Sequence, residues 1–436
     1  MNDKNRRNFL KTAAGTTVGM SAMIRSSAWA SANETIRMCV VGLNGRGKDH
    51  ISGFDALENV EVAAMCDVDE SILNARADQF KAKMGREVKK FTDVRDALAD
   101  SNIDAISVAT PNHWHSLIGI WACQAGKDAY IEKPLSHNIY EGRKLVEAAR
   151  KYNRIVQHGT QIRSSAAVQE AIQMLHDGYI GEVYYAKGTC YKWRNTIERR
   201  PEEPVPNGVH YNEWLGPAPD RPFSRNRFHY NWHWHWDYGN GDYGNQGVHQ
   251  VDIARWGLGV GMPDLASAIG GHFMFDDDQE TPNTMVCSYK YKAANKMLVF
   301  EVRHWMSNDE LEDRKPGDNI VGNLFLGSKG IMIIPNYSSY KIFMGKNHTP
   351  DKAREEGGNH WANFINAVRS RNYKDLNADV EEGHLSAALC HLANASCRVE
   401  RTLKIDPISE RAIDDDEANA LLTRNYRSPF VVPEKV

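Results

Sequence analysis

The stretch NWHWHWDYGNGDYGNQGVH, residues 231–249, gathers His233, His235 and His249 among tryptophans, tyrosines, amides and two aspartates. Two chemistries suit these residue types. Three imidazoles can ligate a metal, and H-x-H on a strand puts two of them on one face. Alternatively, Trp rings meet the apolar faces of a sugar, amide, Tyr and Asp groups meet its hydroxyls, and one histidine moves a proton. The stretch alone leaves both readings open, so the elements that position it have to decide.

Residues 34–158 alternate strand and helix patterns. TIRMCVVG, VEVAAMCD, IDAISVAT, DAYIEK and RIVQHGT read as short apolar strands, separated by helical segments such as DESILNARADQFKAKM. Repeated βαβ units with fully apolar strands predict a parallel sheet covered on both faces. The first strand runs into VVGLNGRGKDH, which reads as G-x-G-x-x-G at Gly42, Asn44 and Gly47, with Asn in the middle place and an extra Gly45. Glycines there let a backbone approach a pyrophosphate at a helix N-terminus. Asp67 closes the second strand, 20 residues beyond Gly47, where a carboxylate can bind a ribose hydroxyl. The expected cofactor is NAD, and Arg46 leaves NADP open.

After about residue 160 the pattern changes. A Pro-, Gly-, Trp- and Tyr-rich stretch (191–247) precedes alternating runs such as TMVCSYKYK and KMLVFEVRHW, which predict a largely antiparallel sheet. The expected organisation is therefore α/β: a Rossmann domain at 34–158, a substrate and oligomerisation domain with a large, mostly antiparallel open sheet at 159–405, and an arm at 406–436. Formal net charge is −3, which argues against general nucleic-acid affinity. The N-terminus carries Arg6 and Arg7, then Phe9-Leu10-Lys11, a mildly apolar run and Ala28-Trp29-Ala30. That order looks like a twin-arginine signal peptide over 1–30, predicts export to the periplasm, and is too short to span a bilayer. No other run is long and apolar enough for a membrane span. The seven cysteines contain no C-x-x-C and read as mostly free buried thiols.

Two further motifs complete a pattern. TPNHWH (Thr110–His115) follows the fourth strand, and Glu132-Lys133-Pro134 follows the next. With the Gly42 loop, these make the chain resemble the Gfo/Idh/MocA family of oxidoreductases, which includes glucose–fructose oxidoreductase and inositol dehydrogenase. The resemblance implies a substrate cleft between two domains and a homo-oligomer, dimer or tetramer, formed through the open sheet. It implies a cofactor held by Gly42, Asn44, Gly45, Arg46, Gly47, Asp67, Thr110, Pro111, Asn112, His115, Glu132, Lys133, Pro134 and Gln161. It makes Lys133 and His249 the catalytic pair. The family's acid four residues before that histidine is replaced here by Asn245, which cannot accept a proton. Arg163, Trp193, Arg194, His233, Trp234, Trp236, Asp237, Tyr238 and Asn245 are the substrate candidates, and no metal site is expected.

The leading expectation is an NAD(P)-dependent oxidoreductase acting on a sugar, glycoside or cyclitol with a tightly held cofactor. An NAD-dependent glycosidase working by transient oxidation and elimination uses the same parts without a carboxylate pair. A non-catalytic, cofactor-bound sugar sensor would explain Asn245. A metal hydrolase built on His233, His235 and His249 would leave the first 160 residues without a purpose.

Overall fold

The computed structural model describes residues 35–304 and 319–436; the expected signal peptide lies outside them. The first sheet contains β1 (Ile36–Val41), β2 (Val60–Cys66), β3 (Lys89–Phe91), β4 (Ala105–Val108), β5 (Asp128–Ile131) and β6 (Val156–His158). All pairs are parallel, in the order β3-β2-β1-β4-β5-β6. The order reverses between β1 and β4, and a crevice opens at the strands' carboxyl ends, where ligands of such sheets bind. Helices α1 (Gly47–Asp55), α2 (Glu70–Met84), α3 (Val94–Ala99), α4 (Asn112–Gln124) and α5 (Ile139–Lys151) make the crossovers. Caps fix their starts where the sequence offers them: Asp69 accepts from Ser71 and Ile72 N–H, and Asn138 from Glu141 N–H. β3 was not among the expected strands; its three residues are exposed or half-buried, so it lacks an apolar signature.

The second sheet has ten strands: β7 (Val183–Tyr191), β8 (Leu265–Gly271), β9 (Thr284–Tyr291), β10 (Lys296–Arg303), β11 (Ile320–Gly327), β12 (Gly330–Ile334), β13 (Ser339–Met344), β14 (Thr349–Glu355), β15 (Leu403–Asp406) and β16 (Arg411–Ala412). All its pairings are antiparallel except β7 with β10. One face is covered by α6 (Ala166–His176), α7 (Val248–Leu258) and the long α9 (Val380–Arg398), giving a continuous apolar core. The other stays open: Ile269 is 82% exposed, and its cross-strand partner Val286 is 48% exposed.

The chain returns to the first domain twice. Helix α8 (His360–Ser370), inside the stretch assigned by sequence to the second domain, packs Phe364, Ile365 and Val368 against Phe54 and Tyr130 of the first. At the far end, Phe430, Val432 and Val436 join the core around Trp114, Leu117 and Leu145. All seven cysteines are free, and six are buried.

Candidate active site

A groove of about 300 Å³ runs from the Gly42 loop to Lys133. Its floor is local to the first domain. Gly42 adopts φ +84°, and a Cβ there would stand 2.7 Å from the Ala109 carbonyl, so the β1 and β4 turns close only around glycine. A Cβ on Gly47 would meet the Gly42 oxygen at 1.9 Å, which lets α1 start directly beneath the loop. No side chain caps α1, so its N-terminus is left for a ligand's phosphates. Asp67 lines the groove and holds the loop, accepting from Leu43 N–H (2.7 Å) and Asp69 N–H (3.0 Å). Burial pushes its carboxyl up to about 6. Thr110, Pro111, Asn112 and His115 complete the wall, and Asn112 Oδ1 is buried with no partner among the described residues. The glycine cradle, the uncapped helix end, the carboxylate and this orphan acceptor fit a nicotinamide dinucleotide. Arg46, at the groove's edge, is paired with two carboxylates, buried Glu132 Oε1 (3.0 Å) and exposed Asp49 (2.9 Å).

The roof comes from the second domain. Trp214, Phe228, His229, Tyr230, Trp232 and His233 line the groove from above, with Phe430 at one end. His229 has a left-handed φ of 47°; its ring lies 3.0 Å from Asn44 Nδ2 and 3.3 Å from Asp69 Oδ2, tying the roof to the cofactor loop. Residues 229–234 wind as a 3-10 helix, not a strand. Tyr230 and His233, three apart, therefore face the groove together, with the His233 ring stacked on Trp232 at 3.6 Å. Burial pushes His233 down to about 3.

Lys133 stands where floor and roof meet. Its Nζ donates to both oxygens of Asn245, the backbone carbonyl and Oδ1 (3.3 Å). Asn245 lies within a π-helical turn, Tyr243–Gly247, that leads into α7. Burial, with Arg46 and Lys192 nearby, pulls the amine down to about 8 against the opposing Glu132 and Asp242. Glu132, which also lines the groove, is held by Arg46, by His50 Nε2 (3.0 Å) and by Lys133 N–H (3.2 Å), and lies well below the usual carboxylate range. His115 braces this turn between the Pro134 (2.7 Å) and Thr110 (2.8 Å) carbonyls. His249 is buried one helical turn beyond Asn245, its ring 5.2 Å from Tyr337 and its Nδ1 without a partner among the described residues. Desolvation keeps it well below its ordinary value, hence neutral. Behind it, Lys192 Nζ donates to Gln246 Oε1 and Gln246 Nε2 to Tyr337 Oη, both at 2.6 Å.

The remaining expected residues fall elsewhere. Gln161 does not line the groove. Arg163 is consumed by Asp252 (2.7 Å) and Glu382 (3.0 Å), a buried ion cluster. Arg194 is turned onto Asp242 (3.0 Å) and Tyr230 Oη (2.7 Å). Trp234 is buried against His304, and Tyr238 against Trp214 and His113. Trp236 lies under Arg398 and Asp237 pairs with Arg221 (2.7 Å), both on a separate pocket. Trp193 is 46% exposed. The three histidines do not converge: His235 Nε2 is taken by the Asn226 carbonyl at 2.8 Å, and no cluster of three metal-ligating side chains occurs among the described residues. Sequence reasoning missed Asp242, His304, Gln246 and Tyr337. Only Asp242 carried a signal, its i, i+3 spacing from Asn245.

Comparison with known proteins agrees with this geometry. A family model described as an oxidoreductase family with an NAD-binding Rossmann fold, Gfo/Idh/MocA, matches residues 36–160. The corresponding C-terminal α/β domain model matches 165–268 and 333–432. Among curated relatives, a glycosyl hydrolase family 109 protein of Shewanella baltica is 26% identical over 210 residues, 43% of this chain and 46% of that protein. One from Shewanella pealeana is 27% identical over 206 residues, 42% and 45% of the two chains. The chain thus spans about half the length of these relatives. Among solved structures, the WlbA dehydrogenase from Bordetella pertussis, in complex with NADH and UDP-GlcNAcA, superposes with a TM-score of 0.63 at 21% identity, over 86% of this chain and 99% of that one. Levoglucosan dehydrogenase with NADH and levoglucosan gives 0.65 at 15% identity, over 85% and 99%. These structures share the fold.

Proposed function

Because the chain belongs to the Gfo/Idh/MocA oxidoreductase family, we propose that it moves a hydride between a tightly held nicotinamide cofactor and a carbon–hydroxyl group of a sugar, glycoside or cyclitol. NAD, when bound, supplies the hydride acceptor. Gly42–Arg46, Asp67, Thr110–Asn112 and the floor beneath them hold it.

The observation that carries the reading is the seating of Lys133. Two positions around its nitrogen are spent on the two oxygens of Asn245, which leaves one vertex. On the neutral amine that vertex is a lone pair that accepts the hydroxyl proton; on the ammonium it is an N–H that returns it. A base poised near neutrality suits this task better than His249, whose burial makes it a poorer base. His249, one helical turn beyond Asn245, is buried outside the lining of the groove and stays neutral. Oxidation therefore needs the deprotonated amine and rises with pH through about 8, while carbonyl reduction falls over the same range. His229, tied to Asn44 and Asp69, supports a cofactor that stays bound through turnover. Denaturing the purified protein and assaying the released dinucleotide, then screening sugars for a change in its redox state, tests the proposal. Protein that neither carries nor binds a nicotinamide dinucleotide rejects it.

A second reading has its own support: the family 109 relatives, and an amide where the family pattern has an acid. Oxidation of a hydroxyl two carbons from the glycosidic carbon acidifies the C–H between them; the proton is removed, the aglycone leaves by β-elimination, water adds to the double bond, and the hydride returns to the carbonyl. Aglycone release from an aryl glycoside without net NADH favours this branch. We place the protein outside the cytoplasm on Arg6-Arg7 and the following segment, and fractionation of cells tests that. The open sheet face around Ile269 and Val286 suits a homodimer or tetramer, readable by sedimentation.

A further inference from the structure

Asp242 sits at the entry to the π turn, fully buried. Its Oδ1 accepts from Arg194 Nη2 (3.0 Å) and Asn245 Nδ2 (3.2 Å). Its Oδ2 lies 3.3 Å from Arg194 Nε, 3.0 Å from His304 Nε2 and 3.7 Å from Cys190 Sγ. These contacts give the Asn245 amide one orientation. Exchanging its oxygen and nitrogen would set oxygen against a carboxylate and NH₂ against the lysine nitrogen's protons, both repulsive. Nδ2 therefore faces Asp242, and Oδ1 faces Lys133 Nζ at 3.3 Å.

We propose that Asp242 is a positioning residue for Lys133: its carboxylate locks the Asn245 amide, which seats the amine. The inference rests on the hydride-transfer reading for its purpose. Standing one turn earlier in the chain, Asp242 replaces the acid that the family pattern puts at position 245, and delivers its charge across an amide instead of by contact. The other charged or titratable groups facing Lys133 are Glu132, Arg46 and His115 from the first domain, and Lys192, His233 and His249 from the second. Arg194 and His304 face Asp242.

The test measures the lysine itself. In the cofactor-loaded protein with ¹³Cε-labelled lysine, the Lys133 resonance, assigned by its loss in Lys133→Arg, is followed against pH by NMR. The parent midpoint is expected at about 8. Asp242→Asn removes a charge that favours the ammonium and lowers the midpoint by roughly one pH unit. Adding Asn245→Asp returns a carboxylate beside the amine and brings the midpoint back to the parent value or above. Asn245→Leu, which leaves the Asp242 ion pairs intact, also lowers the midpoint and serves if Asp242→Asn does not fold. A midpoint unchanged in Asp242→Asn, or in Asn245→Leu, overturns the proposal. The ascending limb of kcat/KM for oxidation should move with the midpoint. If no sugar changes the redox state of the bound nicotinamide, the functional reading fails while the midpoints still judge Asp242.

Discussion

Lys133 lies between two buried carboxylates, one from each domain, and they are used differently. Glu132 is its neighbour in sequence, and its oxygens are spent on Arg46, His50 and the Lys133 backbone, all within the first domain. Asp242 comes from the second domain and reaches the lysine only through Asn245. Both raise the amine's proton affinity, Glu132 more than Asp242; the first also anchors a turn within its own domain, and the second reaches across from the other. The proton affinity of Lys133 is therefore set jointly, and any parting of the domains changes it. A site assembled this way reports on closure by its chemistry.

The most damaging change should be Lys133→Met, which takes away what both carboxylates serve. Single-turnover reduction of the bound cofactor is expected to fall by about 10²–10⁴-fold with the cofactor still in place. Next is Glu132→Gln, which strips a charge from the Arg46–His50 cluster. Breaking such a buried pair costs about 3–5 kcal/mol, read as a lower Tm and denaturation midpoint. The sign of its pH dependence follows from a folded-state value held well below the unfolded one. The stabilisation is complete above the unfolded carboxylate range and is lost as pH falls toward the folded value, so the parent's acid sensitivity should be blunted in Glu132→Gln. The pH–rate curve should shift to lower pH as well, since Glu132 favours the ammonium; if the Tm were kept, the anchoring role of Glu132 would fail. His249→Gln should cost less than Lys133→Met, on the order of tenfold in kcat/KM, without altering the limb near 8, because its ring is already neutral there. Trp236→Ala should change turnover by about twofold or less, as its ring lies off the groove under Arg398.

The first domain was legible because its instructions are local. Gly42, Asp67, Thr110–His115 and Glu132–Pro134 each sit at the end of an apolar strand, so strand order alone brings them to one crevice. The Trp-His stretch was not. An alternating sequence suggests a period of two, but the backbone takes a period of three, which turns Tyr230 and His233 to the groove and buries Trp234. Arg163 looked like a substrate ligand because its partners, Asp252 and Glu382, are 89 and 219 residues away. Helix α8 reads like any amphipathic helix; only tertiary packing assigns it to the first domain.

The placement of Phe430, Val432 and Val436 in the first domain's core has a consequence for how the protein is made. The first domain is sealed by residues that follow the whole second domain in the chain. Until residue 430 has been made, the Trp114 ring lacks the Phe430 ring that packs edge-on to it at 5.4 Å. A chain cut before Phe430 therefore leaves part of the first domain's core uncovered, far in sequence from the cut.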